Sequence, residues 1–257
     1  SPLTPAITVT DGDAILVAGE DYAVSYADNV NVGVNTATAT VTGMGNYSGS
    51  VEKTFSISAV PATVKKAPEA LNPAYTASAQ DLVAAGETDN GKMVYSLTAD
   101  GTFTETIPQA TEAGSYTVYY KATGDANHTE SAVGNVTAPI AKADLSTVTV
   151  GAIADQTFNG AEIKPAVTVT FNGKAVAEDE YSVAYSDNTN AGTATVTLTS
   201  KGKNFSTEKT KTATFKINPA KATLSFDKSE VTAAVNESPE WPVLDNPQGA
   251  IIAYTSS

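Results

Sequence analysis

The sequence predicts an all-β fold made of small antiparallel β-sandwiches in tandem, and three observations support this prediction. Residues 22–29 read YAVSYADN and residues 181–188 read YSVAYSDN, so one unit of supersecondary structure is used more than once. The alternating run TATVTLT at residues 193–199 has the period of a strand with one buried face. Abundant Thr and Val favour pleated surfaces, while Gly and Asn favour the turns between strands.

We call residues 5–57 the first copy and residues 165–217 the second copy of this motif. Both open with a predicted strand, PAITV or PAVTV, and both continue with the tyrosine strand that ends in Asp-Asn. The Asp-Asn pair and the glycine that follows it, Gly33 or Gly192, predict a hairpin turn. The threonine run comes next, and its register is firmly specified because a one-residue shift would bury every threonine.

Each copy closes with a glycine-containing loop and a last strand. The loop reads GMGNY in the first copy and KGKNF in the second, and the last strand reads TFSI or TFKI. Phe55 and Ile57 alternate with polar residues, as do Phe215 and Ile217, so each pair is predicted to face a core.

A divergent relative of the motif lies between the two copies. GSYTVYYK takes the place of the threonine run, with Tyr116, Val118 and Tyr120 on one face and Tyr119 on the other. Two further strands are predicted upstream, at residues 75–83 and 93–97. The closing strand VTAPI is predicted at a sheet edge or strand end, because its proline lacks an N–H.

The closing isoleucines Ile57, Ile140 and Ile217 recur with a period of about 80 residues, within the range of small β-sandwich modules. The sequence therefore predicts four modules, at residues 1–59, 60–142, 143–220 and 221–257. Short junctions that contain Pro and Ala predict an elongated array with little slack. The first and last modules are predicted to be truncated, because the first lacks the roughly twenty residues that open the third.

The order of these residues resembles bacterial immunoglobulin-like repeats of secreted and cell-surface proteins. The resemblance rests on the tyrosine strand with its Asp-Asn turn, the threonine run, the Gly-x-Asn-Tyr/Phe-Ser loop and Thr-x-Phe-x-Ile. AGSYTVYY and GDANH in the middle segment are similar to related modules, and the segment from Lys221 resembles the opening of another. The resemblance implies immunoglobulin-like sandwiches that act as stalks, spacers or adhesive units and carry no fixed catalytic residues.

The charge balance argues against nucleic acid and membrane as partners. The chain has 28 acidic and 15 basic residues, a net charge of −13, and every basic residue is a lysine. Nucleic acids are bound by clustered cations and their bases are read largely by arginine, so no nucleic-acid partner is predicted. An acidic surface repels anionic membranes, and no apolar run reaches spanning length, so no membrane insertion is predicted for this fragment.

The chain contains no cysteine, which removes thiol catalysis and cysteine metal ligands and favours a bacterial or intracellular origin. Residues 1–3 do not open a signal peptide. Combined with the resemblance, these observations predict an extracellular position on a bacterial cell surface, with signal and anchor outside this fragment.

Catalytic candidates are few, and no enzyme activity is predicted. His128 is the only histidine, and it lies in a predicted turn without a serine or cysteine motif nearby. The densest acidic group is EDE at residues 178–180, and its counterpart in the first copy has only two acidic residues, Glu20 and Asp21. A solvated loop accounts for this group better than a pair of glycosidase carboxylates.

Two alternatives stay open. Asp11, Asp28 and Asp187, with their polar neighbours, offer oxygen ligands for Ca²⁺, although Asp and Asn also cap turns and no twelve-residue calcium loop occurs. No other cofactor is predicted. A lysine–asparagine crosslink is the second alternative, with Lys53 and Lys216 as candidates, although alternation predicts that Lys216 points outward.

Two aromatic residues are candidate ligand contacts. Tyr119 is predicted on the solvent side of its strand and Trp241 in a proline-bounded loop, where their rings are suited to stacking on sugars. The leading prediction is a non-enzymatic structural and adhesive segment of a bacterial surface protein. It would act as a spacer rod whose partners are other surface proteins, host ligands or glycans. The alternative is a carbohydrate-binding module array of a polysaccharide-capture system.

Overall fold

The computed structural model describes residues 1–221, 225–226, 232, 234–237 and 243–245. Strands make up 48% and helix 1% of the structure, which confirms the prediction of an all-β fold. The chain divides into two compact units: unit 1 is Ser1–Ala74 with Ser78–Ala141, and unit 2 is Tyr75–Ala77 with Lys142–Ser257. The finer division into four modules stays a prediction.

The first copy lies in unit 1. Its strands are β1 (Thr10–Asp11), β2 (Ala14–Ile15), β3 (Tyr22–Ala27), β4 (Gly33–Gly43) and β5 (Ser50–Ile57). Strands β3, β4 and β5 form an antiparallel meander with β4 in the centre, and β1 pairs with β2. The threonine run is therefore a strand, as predicted, and its alanines Ala37 and Ala39 are buried.

The rest of unit 1 contains one three-stranded sheet and several short strand pairs. Its strands are β6 (Val60–Pro61), β7 (Val64–Lys66), β8 (Glu69–Ala70), β9 (Gln80–Asp81), β10 (Val83–Ala84), β11 (Glu87–Thr88), β12 (Met93–Ser96), β13 (Gln109–Ala110), β14 (Gly114–Ala122), β15 (His128–Thr129) and β16 (Gly134–Ile140). The sheet has the order β12-β14-β16 and is antiparallel, which places Pro139 in an edge strand as predicted.

Unit 2 contains the second copy. Its elements are β17 (Ala143–Asp144), a 3₁₀ helix (Leu145–Thr147), β18 (Thr149–Val150), β19 (Gln156–Thr157), β20 (Val169–Phe171), β21 (Lys174–Ala175), β22 (Tyr181–Ser186), β23 (Gly192–Ser200), β24 (Phe205–Ser206), β25 (Thr210–Asn218), β26 (Ser225–Phe226) and β27 (Leu244–Asp245). Strands β22, β23 and β25 form the same meander as β3, β4 and β5, and β19 adds a fourth strand parallel to β25. A second sheet has the order β18-β20-β21.

The core of unit 2 draws on both of its sheets. Strict alternation in β23 leaves Ala194, Val196 and Leu198 with 0% exposure. The buried cluster is completed by side chains from β17, the 3₁₀ helix and the residue after it, the loop before β20, and strands β20, β22, β24 and β25: Ala143, Leu145, Val148, Ile163, Val169, Tyr181, Phe205, Phe215 and Ile217. The prediction that Phe215 and Ile217 face a core is confirmed. In the first copy Ile57 is buried but Phe55 is only half-buried.

The prediction of a strand over residues 75–83 is wrong, because Tyr75–Ala77 belong to unit 2 and only β9 and the start of β10 remain in that range. Tyr75 stacks on Phe171 with ring centroids 5.8 Å apart and meets Phe205 edge-on at 5.5 Å. The aromatic contacts outweigh local strand pairing here, since aromatic side chains bury large apolar areas.

Two residues after Tyr75 are held in unit 2 through their backbone. The Thr76 carbonyl accepts from Asn172 Nδ2 at 3.2 Å, and the Ala77 carbonyl accepts from Lys174 Nζ at 2.7 Å. Ala77 has a φ of +60°, in the left-handed region that interrupts an extended strand. Residues 75–83 therefore do not form one continuous strand.

Asp144 caps the 3₁₀ helix of unit 2. Its carboxylate accepts from the Ser146 backbone N–H at 2.8 Å and from Lys209 Nζ at 2.7 Å. The hydrogen bond from Lys209, followed by the hydrogen bonds from Ser146, lowers the pKa of Asp144 from its ordinary 3.8 to about 2. The ionised carboxylate is therefore favoured in the folded state.

We expect Tyr75→Ala to destabilise unit 2 by about 2–3 kcal/mol, somewhat less than the removal of a fully buried aromatic ring. The reason is the loss of the ring contacts with Phe171 and Phe205. The measurement is the free energy of opening at the β23 amides, from hydrogen exchange. Leu71→Ala is the control, because Leu71 is 50% exposed and its loss should cost under about 0.5 kcal/mol. Equal effects of the two substitutions would contradict the assignment of Tyr75 to the core of unit 2.

We also expect unit 2 to lose stability as the pH falls from about 4 towards about 2. The pKa of Asp144 is lower in the folded than in the unfolded state, so its contribution is present above the unfolded pKa and is lost on protonation. Asp144→Asn should flatten this part of the pH profile, whereas Asp155→Asn, at an exposed site of the same unit, should not. Urea midpoints measured across this pH range test the prediction, and parallel profiles for Asp144→Asn and the parent chain would refute it.

Candidate functional site

The Asp-Asn pairs, considered above for Ca²⁺, turn the chain in both copies. Asp28 and Asp187 have φ values of 51° and 56°, a left-handed conformation that Asp and Asn tolerate. In the first copy Asn29 Nδ2 donates to the Leu3 carbonyl at 2.8 Å, and Leu3 N–H donates to the Asn29 carbonyl at 2.8 Å. The amide side chain therefore fastens the upstream segment to the turn.

The second copy uses the same exchange of hydrogen bonds. Asn188 Nδ2 donates to the Ile163 carbonyl at 3.1 Å, and Ile163 N–H donates to the Asn188 carbonyl at 2.9 Å. Asn188 is 6% exposed, so these bonds satisfy polar groups that water does not reach. Within the described residues, no group of three or more His, Cys, Asp or Glu side chains is placed to hold a metal ion.

The tyrosines of the motif fasten the same upstream segment. Tyr185 Oη donates to the Pro165 carbonyl at 2.5 Å, and its ring meets Phe215 edge-on at 6.5 Å. In the first copy Tyr26 makes the same two kinds of contact, at 2.5 Å and 6.4 Å. The most repeated polar and aromatic residues of the chain are thus engaged in holding the fold.

Of the two candidate ligand contacts, Tyr119 and Trp241, only Tyr119 lies among the residues that the structure describes. Tyr119 lies in β14, the central strand of its sheet, opposite Ser96 on one side and Asn135 on the other. Its side chain is half-buried. Trp241 lies outside the described residues, so the structure places Tyr119 alone and both roles stay predictions.

Two carboxylates of the acidic group at residues 178–180 have different partners. Glu180 is 7% exposed and accepts from the Asn204 backbone N–H at 3.0 Å and from Asn204 Nδ2 at 2.7 Å. Asp179 pairs with Lys203, whose hydrogen bond lowers the pKa of that carboxyl. The prediction of a solvated loop is therefore wrong for Glu180, which anchors the loop before β24.

His128 is the first residue of β15 and follows the turn at residues 125–127 directly. Its Nδ1 lies 2.6 Å from Asp125 Oδ1, and that hydrogen bond, followed by the one from the Asn127 backbone, lowers the pKa of Asp125. The pair orders the GDANH turn, because the Asp125 carboxylate bonds both the Asn127 backbone N–H and His128 Nδ1. The role of His128 in the structure is to support this turn.

Sequence reasoning missed the role of Asn127, whose side chain bonds the first copy to the rest of unit 1. Asn127 Oδ1 accepts from Val32 N–H at 2.8 Å, and Asn127 Nδ2 donates to Asn31 Oδ1 at 3.2 Å. Its own carbonyl accepts from Val60 N–H at 3.4 Å. Asn31 and Val32 lie about 95 residues from Asn127 in sequence, so no local pattern indicates this contact.

The backbone on both sides of Asn127 extends this contact. Strands β6 and β15 pair in parallel, with His128 opposite Val60, and Ala62 N–H donates to the Thr129 carbonyl at 2.9 Å. We call this set of bonds, together with those of Asn127, the junction of unit 1. It joins the segment after β5 to the turn before β15.

The first copy also contains an open cleft of about 420 Å³. Its apolar lining includes Val9, Leu16, Val41 and Val51, with Tyr47 beside them. Desolvation, followed by the negative charges of nearby aspartates, raises the pKa of Tyr47. A cleft of this size falls within the range of ligand pockets, about 300–1,000 Å³.

The corresponding region of the second copy is filled. Phe205 takes the place of Tyr47 and Leu198 that of Val41, and both are 0% exposed. Within residues 1–58, all of which are described, the buried hydrophobic side chains are Tyr22, Ala37, Ala39 and Ile57. The first copy therefore has a much smaller core than the second.

No family model and no curated protein matches this chain. The described part of the chain contains no helix with the length and apolar character needed to span a membrane.

We expect Asn188→Ala to lower the stability of unit 2 by about 1–3 kcal/mol, because the Ile163 carbonyl loses its donor in a buried site. Asn190→Ala, at an exposed position of the same turn, is the matched control. Urea unfolding of both variants gives the difference.

We also expect the melting temperature of the chain to be the same in chelator and in excess Ca²⁺. A Ca²⁺-dependent rise in melting temperature that Asn188→Ala abolishes would show that these turns bind the ion instead.

Proposed function

We propose that this chain is a non-enzymatic spacer and interaction segment of a bacterial cell-surface protein, built from tandem immunoglobulin-like β-sandwich modules. The observation that carries the proposal is the junction of unit 1. A spacer must transmit position along its length, and it can do so only where successive modules are joined without slack.

The junction meets this requirement through its hydrogen bonds. Backbone groups of a flexible linker bond to water, whereas the Val60 and Ala62 N–H groups bond to the segment that contains Asn127. The Asn127 side chain uses both its oxygen and its nitrogen towards residues 31–32. Bending at residues 58–62 would break several of these bonds together.

Two further features support immunoglobulin-like modules in an acidic surface protein. The meanders β3-β4-β5 and β22-β23-β25 share strand order, and the pairing of β3 with β4 has the same register as that of β22 with β23. In unit 2 a second sheet contributes to the same core. The net charge of −13 favours solubility and disfavours non-specific association with anionic surfaces. Partners of the proposed segment are other surface proteins, host ligands or glycans.

The geometry favours the spacer over a carbohydrate-binding array. Sugar-stacking platforms present exposed aromatic rings, whereas Tyr119 is half-buried in a central strand. A glycan array probed with the full chain and with its Trp241→Ala and Tyr119→Ala variants tests the alternative directly. Glycan binding that both substitutions abolish would favour it.

We expect Asn127→Ala to loosen the junction while leaving the sheets of unit 1 folded. Because the chain has no cysteine, Thr42→Cys and Thr137→Cys introduce two unique labelling sites, in β4 and β16. Electron–electron distance measurements between nitroxide labels should give a narrow distribution in the parent chain and a broader one with Asn127→Ala. Asn135→Ala, at an exposed residue of β16, is the control.

Two outcomes would count against the spacer. A broad distribution in the parent chain would mean that the junction bonds do not restrain residues 58–62. An unchanged narrow distribution in Asn127→Ala would mean that this side chain is not what restrains them. Circular dichroism of each variant verifies that the β-sheet content is preserved.

A further inference from the structure

We propose that the outer edge of β22 binds an extended segment of a partner protein, which adds an antiparallel strand to the sheet and carries a basic residue opposite Asp187. The residues that form this edge all lie in unit 2. The inference names an interaction surface for the proposed function and rests on it, but its test reports on β22 and leaves the junction of unit 1 unchanged.

Strand β22 is an edge of its sheet. The sheet has the order β19-β25-β23-β22, so among the described strands β22 has a neighbour on one side only. Its sequence YSVAYS has no charged residue and no proline, and its register with β23 has no bulge. Charges, prolines and bulges are the usual protection of an edge, and an edge without them can accept a further strand.

The register of β22 shows which backbone groups point outward. Lys201 N–H donates to the Glu180 carbonyl at 2.8 Å, so this opposite pair is a hydrogen-bonded one. Such pairs alternate along antiparallel strands, and the next ones therefore involve residues 182, 184 and 186. The N–H and C=O groups of Tyr181, Val183 and Tyr185 are thus directed away from β23, towards the position of an added strand.

An apolar groove of about 370 Å³ lies along the same edge. Tyr181, Val183 and Tyr185 share the core-facing side of β22, and they line the groove together with Ala166 and Val167. Tyr181 is buried, but Val183 is 36% exposed although it faces the core side. The edge of this core is therefore open to solvent at Val183.

An added antiparallel strand would close this groove. Residues directly opposite each other in an antiparallel pair direct their side chains to the same face. The residues that bond the outward groups of Val183 and Tyr185 would therefore also place their side chains over the groove. Apolar, β-branched residues at these alternate positions fit it best, because they bury the apolar surface and favour an extended backbone.

Charge selects the residue next to this apolar segment. Asp187 directly follows β22 and is exposed, and the ion pairs of the described part of unit 2 do not include it. At the other end of the strand the charges are mixed, because Glu178 and Lys201 both line the groove and Lys201 Nζ donates to the Glu178 carbonyl at 3.0 Å. The preference for a basic residue therefore arises at Asp187.

A second copy of this chain is a poorer occupant than a basic partner. If β22 paired with its own copy about Val183, the residue opposite Asp187 would be Asp179. Acidic residues opposite each other disfavour strand pairing, and the two chains would each carry a net charge of −13. The occupant is therefore an alternating apolar and polar segment of a different protein.

The test uses the full chain and three synthetic peptides with capped ends: KTVTVTVTG, ETVTVTVTG and KTPTPTPTG. In the proposed register the first residue lies opposite Asp187, and the valines lie opposite Tyr185, Val183 and Tyr181. The third peptide lacks the N–H groups that would bond the edge. At a concentration of the first peptide about ten times its Kd, amide exchange at Val183 and Tyr185 should slow about tenfold.

The peptides also separate the charge preference from the strand pairing. In about 150 mM salt, which screens long-range attraction, KTVTVTVTG should bind about fivefold more tightly than ETVTVTVTG. Asp187→Asn should remove most of this difference and should fold, because Asn tolerates the left-handed φ of 56° at this position. Asp28→Asn is the matched control, since it makes the same change in the corresponding turn of the first copy and should leave the difference intact.

Two variants of β22 locate the binding site. Val183→Pro removes an outward N–H, a substitution that edge strands tolerate, and should abolish the protection at Tyr185. Val183→Glu places a charge in the groove at a partly exposed position and should weaken binding at least tenfold. Circular dichroism verifies that each variant is folded.

Three outcomes would overturn the proposal. The first is no slowing of exchange at Val183 and Tyr185 with any peptide, and the second is equal binding of all three peptides. The third is protection of these amides that grows with the concentration of the chain alone, since the occupant would then be a second copy; analytical ultracentrifugation detects this case. None of these outcomes alters the label distances across the junction of unit 1, so failure here and failure of the spacer role are distinguishable.

Discussion

The central strand of each copy is the constraint on which the rest of the structure depends. In β23 every second residue, Ala194, Val196 and Leu198, is fully buried, and threonines occupy the opposite face. Because the side-chain period of a strand is two, this pattern permits one register against both neighbours. The flanking strands then bring the tyrosine ring and the closing phenylalanine to the same face, where they meet edge-on.

The two copies share the same turn and tyrosine contacts, but their hydrophobic cores differ in size. Both use the Asp-Asn turn and a tyrosine hydroxyl to fasten the upstream segment, with nearly the same distances. In the second copy, Leu145 and Val148 pack in the same core as the motif, and Phe205 is fully buried there. In unit 2 the filled core includes Leu145 and Val148, which lie before the motif in the sequence.

Prediction from sequence succeeded where a residue's role is decided by its neighbours along the strand. The threonine strand, the paired core positions of Phe215 and Ile217, and the edge position of Pro139 follow from alternation or from a missing N–H. It failed for Tyr75 and for Glu180, because the residues next to them in sequence do not reveal partners farther along the chain. Asn127 was missed for the same reason, since its partners are about 95 residues away.

The sequence by itself determined the all-β class, the strand order within each copy and the turns, because these depend on side-chain period and backbone preference over a few residues. Only the tertiary structure decided that Tyr75 joins the core of unit 2, that Asn127 bonds residues 31–32, and that one cleft is open while its counterpart is filled. Such contacts depend on which distant segments arrive at the same place, and local patterns of polarity carry no information about that.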